Sequence, residues 1–81
     1  MNEQFQRALQ LHQSGQLRDA EIAYRQILEQ NPNHADALHL LGVIAHQCGN
    51  SGDATQWIQR AIAINPNCAA YYSNLADAHR T

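Results

Sequence analysis

Residues 12–20 read HQSGQLRDA and residues 46–54 read HQCGNSGDA. The offset is 34 residues, and it recurs farther out, where NPN at Asn31–Asn33 returns as NPN at Asn65–Asn67. Aligning 1–34 with 35–68, without a gap, pairs His12/His46, Gln13/Gln47, Gly15/Gly49, Asp19/Asp53, Ala20/Ala54, Asn31/Asn65, Pro32/Pro66 and Asn33/Asn67. A fixed period of roughly 20–50 residues marks a repeat architecture, in which each unit buries its apolar face against its neighbours. A third copy starts at Ala69 and runs to Thr81. The expected organisation is one domain, 1–81, made of repeat 1 (1–34), repeat 2 (35–68) and a partial repeat 3 (69–81). Solenoids need about three repeats for stability, so the chain reads as a fragment of a longer one.

Each unit reads as two helices. Leu38, Leu41, Gly42 and Ala45 recur at i, i+3, i+4 and i+7, and Ala54, Ile58, Ala61 and Ile62 repeat the pattern after Gly49–Gly52. In the first unit Phe5, Ala8, Leu9 and Leu11 precede Gly15, while Ala20, Tyr24, Ile27 and Leu28 follow it. Strand-type alternation is absent, and Gln and Ala favour helix over strand. Gly15 and Gly49 can take the left-handed conformation that ends a helix. Pro32 and Pro66 cannot continue the helices before them. Asn50, with Asp53 behind it, is expected to cap the fourth helix, and Asn33 with Asp36 the third. The resulting expectation is an all-α fold with helices near 2–14, 17–30, 35–48, 51–64 and 68–80.

Composition narrows the function. The 81 residues carry a net charge of −2, with five Arg and no Lys, thirteen Ala, ten Gln and seven Asn. No basic stripe is available for nucleic acid or an anionic membrane surface. Without Lys there is no Schiff-base or P-loop chemistry. The longest apolar run, Leu40 to Ala45, is far short of the ~20 residues that span a bilayer. The opening residues, MNEQFQ, lack a charged-then-apolar export pattern, and two cysteines without one suit a reducing, cytoplasmic setting. No nucleophile elbow, phosphate loop or HExxH is present, so no catalytic residue and no cofactor are expected. Asp36 and Asp77 are carboxylates with nothing to suggest a pocket around them. The five histidines include no HxxxH pair, so solvated side chains are expected rather than a metal site. Cys48 and Cys68 fall at opposite ends of parallel helices ~20 Å long, too far apart for a disulfide.

With these residues in view, the chain resembles the tetratricopeptide repeat (TPR) family over essentially its whole length. The pattern positions of that family fall on Leu38, Leu41, Gly42, Ala45, Ala54, Ile58, Ala61 and Pro66 in the second unit. In the first they fall on Gln4, Arg7, Ala8, Leu11, Ala20, Tyr24, Ile27 and Pro32, and in the third on Tyr72, Leu75, Ala76 and His79. Gln4 and Arg7 are polar where bulky apolar residues are usual, as suits an N-terminal unit with a wet outer face. The run NPNHADALHLLGVIAHQCGN is similar to the first repeats of O-linked N-acetylglucosamine transferase-type proteins, in which a TPR superhelix precedes a glycosyltransferase region. Asn74 stands where that subfamily often carries an asparagine that holds a peptide backbone. Gln6 and Leu40 occupy the matching positions, so no asparagine ladder runs through the chain.

The resemblance implies a non-catalytic protein–protein interaction module, with a concave groove lined by the first helix of each unit. Mapped residue by residue, the groove takes Phe5, Leu9, His12 and Gln13 from the first unit, with Asn2 and Gln6 beside them. The second gives His39, Val43, His46 and Gln47, with Asp36 and Leu40. The third gives Asn74 and Asp77, with Ala70, Ser73 and Arg80. Phe5, Leu9 and Leu40 stand where chaperone-binding members place their carboxylate-gripping Lys, Arg and Asn, so no such clamp is expected. An alternative is the N-terminal substrate-guiding or oligomerisation segment of a larger enzyme such as a TPR-containing glycosyltransferase. Self-association through an uncovered last helix, at Tyr72, Leu75 and Ala76, is a third reading. Trp57 lies at the edge of its helix's apolar face, semi-buried, and is the aromatic best placed for an outer contact.

Overall fold

A computed structural model describes residues 3–80. Among them there are five helices: α1 (Glu3–Gln13), α2 (Leu17–Gln30), α3 (Ala35–Gln47), α4 (Ser51–Ile64) and α5 (Ala69–His79). The fold is all-α, a solenoid of paired helices measuring 32 × 25 × 18 Å. The ends differ from the sequence expectation by a residue or two, where helix limits are least sharp. Asn2 and Thr81, which the expectations also touch, lie outside the described residues.

The turns within the two full units are built alike. Gly15 and Gly49 have φ of 85° and 87°, where any other residue type would be strained. The next residue closes each helix: Gln16 N donates to Leu11 O at 2.9 Å, and Asn50 N donates to Ala45 O at 2.8 Å. These are the six-to-one bonds of a Schellman ending. The first NPN turn is tied by Asn31 N to Ile27 O and His34 N to Asn31 O, and the second by Asn65 N to Ala61 O.

Capping departs from expectation. Asn50 occupies the N-cap of α4, but its side chain makes no capping bond. The cap of α3 is His34, whose Nδ1 accepts from Ala37 N at 3.1 Å, in place of Asn33 with Asp36. The Asp36 carboxylate is taken instead by Tyr71 of α5.

α3 is the shared wall of the molecule. Its Ala37, Leu41 and Ile44 join Ala8, Ala20, Tyr24 and Ile27 in one buried cluster. Its Leu38 joins Ile58, Ala61 and Tyr71 in a second. Gly42 lets α4 come close: a Cβ there would stand 2.5 Å from Ile58 Cγ1 and 3.0 Å from Ala54 O. Ala8 and Ala54 are fully buried, as expected of close-packing positions. Ala76 and Tyr72 are exposed, with no helix among the described residues covering that side of α5.

Candidate functional site

The first helices α1, α3 and α5 stack side by side and expose one edge of each. Equivalent positions in stacked parallel helices point the same way. Two side chains that meet across the gap must therefore lie on opposite flanks. Successive residues turn by about 100° around a helix, so a partner sits one position beyond the repeat. Three hydrogen bonds follow this rule, each joining residues 35 apart. His12 Nε2 and Gln47 Oε1 are 2.9 Å apart. Tyr71 Oη donates to Asp36 Oδ1 at 2.5 Å. Asn74 Nδ2 and His39 Nε2 are 2.7 Å apart.

The structure therefore brings four of the expected groove residues together in pairs, His12 with Gln47 and His39 with Asn74. Asp77 pairs with Arg80 one turn along α5. Phe5 turns into the fold, 4.9 Å from the His34 ring and 6.1 Å from the Tyr24 ring, centroid to centroid. Leu9 and Val43 stand at equivalent positions on α1 and α3. Both are half-buried, and neither packs against either core cluster. Gln13 is exposed beside this strip, and His46 is half-buried with Nδ1 lacking a partner among the described residues.

The histidines are not uniformly solvated. His39 is 7% exposed, because the Tyr71 ring covers it at 4.6 Å. Burial lowers its pKa from the ordinary 6.5, against the pull of the Asp36 carboxylate. Burial also raises the Tyr71 phenol, and the bond to Asp36 adds to the effect. Tyr24, fully buried in the first unit, is pushed up to about 12 by burial, and its hydroxyl has no partner among the described residues. No group of three or more His, Cys, Asp or Glu among the described residues is placed to hold a metal ion.

Tyr71 was not legible as a site residue. It follows the alignment column of Ala37, and only the shift of one position reveals its partner. On the opposite side, Trp57 is half-buried against both clusters. The guanidinium groups of Arg25 and Arg60 lie 5.4 and 5.2 Å from its ring centroid. Among the described residues the exposed aromatic is Tyr72 rather than Trp57, at 46%.

Comparison with known proteins follows the same lines. The family described as tetratricopeptide repeat matches residues 11–78. A UDP-N-acetylglucosamine–peptide N-acetylglucosaminyltransferase of Caenorhabditis elegans is 39% identical over 68 residues, 84% of this chain and 6% of that protein. Cellulose synthase operon protein C of Komagataeibacter xylinus is 34% identical over 59 residues, 73% of this chain and 4% of that protein. Among solved structures, a mutant O-GlcNAc transferase of Thermobaculum terrenum superposes with a TM-score of 0.91 at 35% identity, covering 93% of this chain and 14% of the other. The chain thus spans a small part of the length of each relative.

Proposed function

Because the chain belongs to the tetratricopeptide repeat family, we propose that it is a non-catalytic interaction module whose first helices offer a concave groove to an extended peptide or partner segment. The carrying observation is the Leu9–Val43 strip. Two apolar side chains at equivalent positions stay half-buried outside both cores, beside Gln13 and Gln47. An extended peptide laid across α1, α3 and α5 finds apolar contact there and neutral hydrogen-bonding groups at its edges. A peptide-array screen tests this with the Leu9→Ser, Val43→Ser double variant. Loss of about tenfold or more in affinity, with helical content unchanged, is expected of an anchoring pair. Unchanged binding overturns the reading.

A second reading rests on the two glycosyltransferases among the relatives. In it the chain is the N-terminal substrate-guiding segment of a larger enzyme. Further 34-residue units and a catalytic region in the flanking gene sequence support it, and a gene that ends at Thr81 overturns it. Leu75, expected on an uncovered face, packs against the second cluster instead, so self-association is left with exposed Tyr72 and Ala76, and light scattering tests it: a monomer at high concentration rejects it. None of the helices among the described residues is long and apolar enough to cross a membrane, and the two free cysteines suit a cytoplasmic location.

A further inference from the structure

The His39–Asn74 bond has a direction. Asn74 meets the ring through Nδ2, and an amide nitrogen can only give protons. This arrangement requires Nε2 of His39 as the acceptor, and hence a neutral imidazole with its proton on Nδ1. The other end of the Asn74 amide, Oδ1, receives no donor among the described residues. Asn74 is half-buried, so that oxygen is the group it has left to offer.

We infer that His39 is a positioning residue whose protonation state decides whether Asn74 offers the groove a hydrogen-bond acceptor or a donor. With neutral imidazole, Nε2 holds the NH2 and Oδ1 stays available, for example to a backbone N–H of an extended segment. With imidazolium, Nε2–H is itself a donor and cannot face an NH2 group. The carboxamide then turns over about its last torsion, giving Oδ1 to the ring and the NH2 to the groove. No bond is made or broken except the N–H of the ring.

The surroundings set where this happens. Asp36, three residues earlier on α3, is the one charged group among the described residues acting on the ring, and it favours the cation. From α5, Tyr71 covers the ring while its hydroxyl is committed to Asp36, with the Cys68 thiol beside it. From α2 and α4 the side chains buried around α3 are Ala20, Tyr24, Ile27, Ala54, Ile58 and Ala61, of which only Tyr24 titrates, well above neutrality. Burial outweighs Asp36, so the turnover falls on the acid side of an ordinary histidine.

The consequence for ligands rests on the groove reading, while the switch itself does not. NMR of the 15N-labelled 81-residue chain, without ligand, tests it. Long-range spectra should show His39 Nε2 unprotonated at neutral pH. The Asn74 side-chain amide signals should shift with the midpoint of His39 as pH falls from about 7 to about 5. In His39→Gln, which can still accept through Oε1 but does not titrate, those signals should stay flat. A protonated Nε2 at neutral pH, or Asn74 signals that ignore the His39 titration, overturns the inference. If the variant fails to fold, the wild-type titration still decides. Failure of peptide binding alone counts against the groove and leaves this measurement standing.

Discussion

The seam between α1 and α3 and the seam between α3 and α5 use the same register and opposite chemistry. In the first, the middle position is Phe5, which packs on His34 and Tyr24, and one exposed pair, His12 with Gln47, closes the far end. In the second, the equivalent position is His39, bound to Asn74 and roofed by Tyr71, which reaches back to Asp36. The two buried tyrosines make the contrast sharp. Tyr24 spends its hydroxyl on nothing among the described residues, and Tyr71 ties two helices together. Stacking of units with one shared geometry therefore leaves each seam free to be fastened by carbon or by hydrogen bonds.

Gly42→Ala should have the largest effect, because it strikes the wall both seams share. The added Cβ meets Ile58 at 2.5 Å and the Ala54 carbonyl, which is backbone and cannot swing away, at 3.0 Å. Overpacking of this kind costs about 1–3 kcal/mol, measurable as a lowered urea midpoint. In the first unit the same position is Ala8, fully buried in the cluster that holds Tyr24, so a Cβ is accommodated there. A midpoint unchanged in Gly42→Ala would mean that α3 and α4 can separate freely.

Tyr71→Phe comes next. It removes a bond to a carboxylate, worth about 1.5 kcal/mol when, as for Asp36, the partner can return to water. Urea unfolding should show the loss, and amide exchange should quicken first in α5. No loss would reduce the α3–α5 seam to apolar contact.

Tyr24→Phe has the smallest expected effect and the opposite sign. Removing a buried hydroxyl without a partner should leave stability unchanged or raise it by about 1 kcal/mol. It should also blunt alkaline unfolding. Both phenols are raised by burial in the fold above the ordinary 10.0. The unfolded chain therefore releases their protons first, and stability falls as pH climbs from about 10 through 12. Melting curves across that window should separate wild type from Tyr24→Phe. A destabilised variant would show that the Tyr24 hydroxyl has a partner.

Much of the fold could be read from one alignment. The 34-residue offset, the Gly15 and Gly49 endings and the small residues at Ala8 and Gly42 located five helices to within a residue or two. The caps read less well. Asn33 and Asn50 have the right chemistry, yet His34 makes the capping bond on α3 and Asn50 makes none with its side chain, because local propensity does not say which neighbour a side chain will prefer. In the candidate site Leu9 and Val43 are half-buried outside both clusters, while His39, expected among the solvated histidines, is buried.

The sequence by itself determined the period and the helices, since these depend on spacing along one chain. Only the tertiary structure decided which polar residues hold each other. That choice depends on the flank a side chain shows to its neighbour, which puts partners 35 residues apart in a repeat of 34. Aligned columns compare residues that point the same way, so they pass over the pairs that meet.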